Sequence, residues 1–92
     1  MSDKLIQQTL DKRSKTHGDF RDNANTSQRL KDVIRLAPNY LYLSYIQRES
    51  LDLVCTKISR ILGGDHNEPD HWLDILGYIE LAHNDLRFEP RK

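Results

Sequence analysis

Apolar residues recur at helical spacing along most of the 92-residue chain, and this periodicity is the strongest constraint on its fold. A helix brings residues three and four apart onto one face, whereas a half-buried strand alternates apolar and polar side chains. No segment of four or more residues alternates cleanly, and Tyr40-Leu41-Tyr42-Leu43 is interpreted as an apolar connector. The sequence therefore predicts one all-α domain over residues 1–92.

Four helices are predicted from these stripes and from the residues that begin and end helices. Their approximate ranges are 3–14, 24–36, 45–62 and 69–87, followed by a frayed tail at 88–92. Ser44 and Gln47 form a capping-box pattern at the start of the third helix, and Gly63-Gly64 ends it. Pro69 fits the first turn of the fourth helix, because its missing N–H would have no helical partner there.

The composition restricts the classes of protein to which the chain can belong. Fourteen Lys and Arg balance fourteen Asp and Glu, which argues against a nucleic-acid binder because such proteins carry a basic excess. No apolar run approaches the roughly 20 residues of a membrane span, and no signal-peptide core is present, so we expect a cytoplasmic protein. Cys55 has no partner for an internal disulfide. A chain this short has a small core, and we therefore expect a homodimer or higher homo-oligomer.

Helices three and four each carry an acidic pair opposite a predicted core stripe. The core stripes comprise Leu51, Val54, Cys55, Ile58, Ile61 and Leu62 on helix three, and Trp72, Ile75, Leu76, Ile79 and Leu86 on helix four. The acidic pairs are Glu49 with Asp52, and Asp70 with Asp74. Because consecutive antiparallel helices pack as neighbours, the four carboxylates could form one patch.

Such a patch predicts a metal–phosphate site. Gathered carboxylates repel one another unless a cation lies between them, and Mg²⁺ prefers these hard oxygen ligands, here Glu49, Asp52, Asp70 and Asp74. Lys57 and Arg60 would hold the phosphates, and Tyr78 would stack on a base or bond a phosphate. The alternative is a solvated charged face, on which the acids and bases merely favour their ends of the helix dipole.

Two histidines, His66 and His71, flank Asp65 and Asp70, a composition that transition metals also use. Their spacing matches no zinc signature, so the sequence leaves open whether either takes part in a site. Neither a Gly-x-Ser-x-Gly motif nor a Walker-type phosphate loop is present. The sequence therefore gives no support to nucleophilic catalysis.

Three segments of the chain carry a set of motifs. They read His17-Gly18-Asp19-Phe20, Lys57-Ile58-Ser59-Arg60-Ile61 and Asp70-His71-Trp72-Leu73-Asp74-Ile75-Leu76-Gly77-Tyr78. Together they resemble a family of small bacteriophage and prophage proteins of unknown function, which share Lys-Ile-x-Arg-Ile followed by Asp-x-Trp-x-Asp-Ile-x-Gly-Tyr. The resemblance covers about residues 8–86 and implies a phage or prophage origin without an established activity.

Glu49-x-x-Asp52 and His71-x-x-Asp74 lie on helices three and four, with Asp70 one residue before the second motif. This pair resembles, more distantly, the motifs Glu-x-x-Glu and Glu-x-x-Asp that hold Mg²⁺ in MazG-type nucleoside triphosphate pyrophosphohydrolases. The resemblance implies a four-helix MazG-like bundle, completed by oligomerisation. It also implies hydrolysis of a nucleoside triphosphate to monophosphate and pyrophosphate, with Glu49, Asp52 and Asp74 as catalytic residues. His71 departs from the motif. Either Asp70, which shares a face with Asp74, replaces the missing acid, or the site is degraded. A degraded site implies the alternative of a non-catalytic phage accessory module that binds a nucleotide, a signalling nucleotide or a host protein.

Overall fold

The computed structural model describes residues 2–86, which form four α-helices joined by short connections. The helices are α1 (Ser2–His17), α2 (Phe20–Leu36), α3 (Tyr45–Gly63) and α4 (Pro69–Asn84). A 3-10 turn, Tyr40–Tyr42, links α2 to α3, and no strand occurs in this part of the chain. The predicted all-α class is confirmed, while the predicted tail at 88–92 and the last residue of helix four lie outside the described residues.

Side-chain caps determine where α2 and α3 begin. The Asp19 carboxylate accepts a hydrogen bond from the Asp22 N–H at 3.4 Å, so α2 begins at Phe20, earlier than the predicted start at 24. Ser44 Oγ accepts from the Gln47 N–H at 3.1 Å, and Gln47 Oε1 accepts from the Ser44 N–H at 2.9 Å. This capping box is the one predicted from the sequence.

The turn after α1 lies against the loop between α3 and α4. The Thr16 carbonyl oxygen accepts hydrogen bonds from the Asp65 N–H at 3.0 Å and from His71 Nε2 at 2.8 Å. Gly18 has a φ of +84°, and a Cβ at this position would collide with the backbone of Gly63. The turn therefore needs glycine both for its left-handed conformation and for its close approach to α3.

α3 is the central helix of a three-helix layer, with α2 and α4 as its neighbours. Ser50 near the start of α3 donates to the carbonyl oxygen of Tyr78 near the end of α4 at 2.6 Å, so these two helices are antiparallel. Asn23 near the start of α2 adjoins Gly63 at the end of α3, so this pair is antiparallel as well. α1 contacts the layer mainly through α3.

The core of the described chain is thin and largely polar. Its buried apolar residues are Cys55 and Ile61, both predicted, whereas the buried polar residues are Asn23, Ser27, Ser50, Ser59 and His71. The predicted core stripe of helix four is wrong for the single chain at Trp72, Leu76, Ile79 and Leu86, which are exposed, whereas its fifth member, Ile75, is half-buried. α4 instead contacts its neighbours through His71, which bonds to α1, and Asp74, which pairs with Lys57 of α3. None of the helices within residues 2–86 is long and apolar enough to cross a membrane.

Replacing His71 by alanine tests the link between the two loops. The side chain is 1% exposed and donates to a carbonyl oxygen, so its removal takes away a buried hydrogen bond and leaves a cavity. We expect His71→Ala to lower the free energy of unfolding by about 2–3 kcal/mol in urea titrations. His66→Ala, at an exposed position of the loop that precedes α4, should change the free energy of unfolding by less than about 0.5 kcal/mol. Equal midpoints for the two variants would contradict a structural role for His71.

Candidate functional site

Lys57 and Asp74, two of the predicted site residues, form an ion pair between α3 and α4. Lys57 Nζ lies 2.6 Å from Asp74 Oδ2, and the Lys57 side chain is 12% exposed. The hydrogen bond from Lys57 holds the pKa of the Asp74 carboxyl below its usual value. Lys57 therefore holds a carboxylate of its own chain where the sequence predicted a phosphate.

The structure does not gather the four predicted metal ligands. Asp74 is paired with Lys57, while Glu49 and Asp70 are exposed. Asp52 is half-buried, and its Oδ1 has no hydrogen-bond partner among the described residues. Within residues 2–86, no three His, Cys, Asp or Glu side chains come together as a metal site would require. The magnesium site therefore stays a prediction.

The structure shows hydrogen bonds at three further residues that the sequence analysis singled out. Tyr78 is half-buried, and its carbonyl oxygen accepts the bond from Ser50. The His66 side chain is exposed, and its carbonyl oxygen accepts from Trp72 Nε1 at 2.8 Å. His71, which the sequence left open, is buried and bonded to Thr16. Tyr78 and His66 thus make these bonds through their backbone carbonyl oxygens, whereas His71 makes its bond through the side chain.

A cavity of about 540 Å³ lies between α1, α2 and α3. This volume falls within the roughly 300–1,000 Å³ of small-molecule sites. One part of its lining is apolar, from Leu10, Phe20 and Ala24, and Phe20 is largely exposed. The rest is polar and is supplied by all three helices. A cavity of this composition suits a ligand with both an apolar and a charged part.

Three cationic side chains line the cavity, one from each helix: Arg13, Lys31 and Arg60. Two carboxylates, Asp11 and Asp19, also line it, and Asp19 is engaged as the cap of α2. No ion pair is formed by any of the three cations within the described part of the chain. Their charges are therefore left for solvent or for a ligand.

Hydroxyl groups hold Lys31 in the wall of the cavity. Lys31 Nζ donates to Thr56 Oγ1 at 3.1 Å, and Thr56 Oγ1 also lies 3.5 Å from Ser27 Oγ. Ser59 Oγ donates to the Thr56 carbonyl oxygen at 2.6 Å. A neutral hydroxyl partner orients the ammonium group without cancelling its charge.

His17 reports the electrostatic environment of the cavity that it lines. Its Nδ1 lies 2.6 Å from Thr16 Oγ1, and its ring meets that of His71 edge to face at 4.9 Å between centroids. Burial lowers the pKa of His17, and the charges of Arg60, His71, Lys57 and Arg13 lower it further. Of these charges, Arg60 and Arg13 belong to the lining of the cavity, where they disfavour a further positive charge beside His17.

Sequence reasoning found Arg60 but missed Arg13, Lys31 and His17. Once α2 is known to begin at Phe20, Asn23, Ser27 and Lys31 fall four residues apart and form one polar stripe. Ser27 and Lys31 lie within the predicted helix 24–36, so their spacing was visible, but the sequence does not show that Thr56 of α3 packs against them. Nothing in the sequence indicates that Arg13 and His17 of α1 line the cavity, because the position of α1 depends on the contact between its last turn and the α3–α4 loop.

No family model, curated protein or solved structure matches this chain. The resemblances to the phage family and to MazG-type enzymes therefore stay predictions.

The depressed pKa of His17 predicts a pH-dependent stability. Because the folded state binds this proton less readily than the unfolded state, unfolding takes up a proton as the pH falls below the unfolded value near 6.5. We expect the free energy of unfolding to decrease from about pH 7.5 to about pH 5.5. In His17→Gln, this decrease should be smaller, while His66→Gln should retain it. An unchanged slope in His17→Gln would contradict the assignment.

Proposed function

We propose that the protein is a non-catalytic module that binds a phosphate-bearing small molecule of the nucleotide class in the cavity between α1, α2 and α3. One observation carries the proposal. Arg13, Lys31 and Arg60, from three different helices, line one cavity of about 540 Å³ without forming an ion pair within residues 2–86. The resemblance to phage proteins supplies a setting for this role, an accessory protein that acts in the host cytoplasm during infection.

The polar part of the cavity is matched to phosphate oxygens. Guanidinium groups such as those of Arg13 and Arg60 can bind two phosphate oxygens at once, whereas the Lys31 ammonium acts as a point charge. The hydroxyl hydrogens of Ser14 and Thr56 are donated to backbone carbonyl oxygens, whereas the Gln28 amide adds a neutral donor to the same lining. A ligand with several negative charges would balance the three cations better than a ligand with a single carboxylate.

The apolar part of the cavity favours a nucleotide over inorganic phosphate. Leu10, Phe20 and Ala24 offer a surface on which a flat ring can pack. An exposed aromatic ring such as that of Phe20 gains stabilisation from an offset stack with a base. Apolar contact and charge pairing on one ligand would together select a nucleotide from other anions.

The magnesium-dependent pyrophosphohydrolase predicted from the sequence is the second candidate function. The observation that favours it is Asp52 Oδ1, a buried carboxylate oxygen without a hydrogen-bond partner in the described chain, which a cation would satisfy. The separation of Glu49, Asp52, Asp70 and Asp74 within one chain gives it less support than the binding module has.

Substitution of Lys31 tests the binding proposal. Nucleoside mono-, di- and triphosphates should raise the melting temperature and give saturable binding in calorimetry. Lys31→Gln should weaken binding roughly tenfold or more, because it removes a charge-assisted hydrogen bond worth about 1.5–3 kcal/mol. The matched control is Arg29→Gln, which removes one positive charge from an exposed position of the same helix outside the cavity lining. Equal loss in both variants, or no binding by wild type, would overturn the proposal.

Pyrophosphate release distinguishes the binding module from the hydrolase. With Mg²⁺ and the same nucleotides, we expect stabilisation of the protein without release of pyrophosphate above the uncatalysed rate. Release that is abolished by Asp52→Asn and by Asp74→Asn would instead establish the second candidate. Neither stabilisation nor release would refute both candidates and direct attention to a host protein as the partner.

A further inference from the structure

α4 carries an apolar seam on a face that the described chain leaves exposed. Trp72, Leu76, Ile79 and His83 follow one another at intervals of four, three and four residues. Trp72 is 51% exposed, Leu76 67% and Ile79 46%. This alternation of threes and fours is the heptad spacing of helices that pair side by side. In a soluble protein, such a seam indicates a helical partner.

α3 extends the exposed seam on the same side of the layer. On α3, Leu51 follows Ser50 and Ile58 follows Lys57, and both Ser50 and Lys57 contact α4. One residue turns an α-helix by about 100°, so Leu51 and Ile58 lie about that far round α3 from its contact with α4. On α4, Ile79 and Trp72 lie about 140–160° round the helix from Asp74, which pairs with Lys57 of α3. Because the two helices are antiparallel, rotations in the same sense bring both stripes to one side of the layer. We call this surface the apolar face; it comprises Leu51, Ile58, Leu62, Trp72, Leu76 and Ile79.

The area that the chain exposes matches the area that a dimer would bury. The accessible surface is 7792 Å², whereas a folded monomer of 10.8 kDa exposes about 5,500 Å². The excess of about 2,200 Å², to which the exposed helix α1 also contributes, is of the same order as the roughly 1,000–2,500 Å² that each subunit of an obligate homodimer buries. Among the described apolar residues, Cys55 and Ile61 are buried. A core this small is consistent with a chain that completes its core through association.

We propose that a second copy of this chain covers the apolar face, forming a two-fold symmetric homodimer in which the α4 seams of the two copies pack together. A two-fold axis brings the same surface of both subunits into contact, and an unbroken seam of this kind is complementary to itself. Its members are apolar except for His83, so the pairing buries no Asp, Glu, Lys or Arg side chain of the seam.

This interface leaves the cavity open. Arg60, which lines the cavity, comes two residues after Ile58 and therefore lies about 200° round α3 from the apolar face. The cavity and the apolar face occupy opposite sides of the three-helix layer. Dimer formation and ligand binding are consequently separate proposals, and either one can fail alone.

Sedimentation equilibrium of the full chain tests the dimer. We expect a mass twice the 10.8 kDa of the chain. Leu76→Glu should reduce the mass to that of one chain, because the substitution would bury one unpaired carboxylate per subunit in the contact. The matched control is Leu81→Glu, which places the same charge on the opposite side of α4. Leu81 is 66% exposed and Leu76 is 67% exposed, so the two positions are matched in accessibility. This control should remain a dimer.

Measurements on the wild-type protein keep the test independent of any variant that fails to fold. Trp72 is the single tryptophan of the chain, so its fluorescence reports on the seam directly. Dilution through the dissociation range should shift its emission to longer wavelength, and the melting temperature should rise with protein concentration. A wild-type mass of one chain or of more than two chains would overturn the proposal. So would a melting temperature independent of concentration, or dissociation of Leu81→Glu together with Leu76→Glu.

Discussion

The carbonyl oxygen of Thr16 joins parts of the fold that have few other contacts. It accepts from the backbone of Asp65, in the α3–α4 loop, and from His71 on α4. Both donors come from the α3–α4 loop or from the first turn of α4. Since α1 contacts the layer mainly through α3, this junction fixes where the end of α1 lies. It thereby fixes one wall of the cavity, to which Arg13 and His17 belong.

The junction and the α2–α3 contact are both polar, and this explains why the apolar residues face outward. Ser27 and Lys31 of α2 meet Thr56 of α3 through hydrogen bonds, which set the register of the helices but bury little apolar surface. α4 likewise packs through Asp74 on Lys57. With these faces occupied by polar contacts, Leu76 and its neighbours in the seam remain on the surface. The cavity and the apolar face are thus two results of one distribution of polar residues.

The sequence predicted the helical class and the local signals well, but not the choice of contacts between helices. The Ser44 capping box and Pro69 at the start of α4 depend on neighbouring residues, and both are observed. The start of α2 was missed because Asp19 caps it ahead of the polar cluster at 23–27. Periodicity identifies the apolar side of α4 but not whether it meets its own chain or another. Arg60 was found because it lies on a stripe, whereas Lys31 requires knowledge of the tertiary contact.

The hydrogen bond of His71 adds a reason to propose a binding module rather than a hydrolase. A carbonyl oxygen can only accept, so His71 Nε2 must carry the hydrogen that it donates to Thr16. An ionised Asp or Glu at this position would have no hydrogen to donate and would place a negative charge against the carbonyl oxygen. Position 71 can therefore hold the two loops together or carry a metal-binding carboxylate, but not both. In this chain it holds the loops together, and the wall of the cationic cavity depends on that bond.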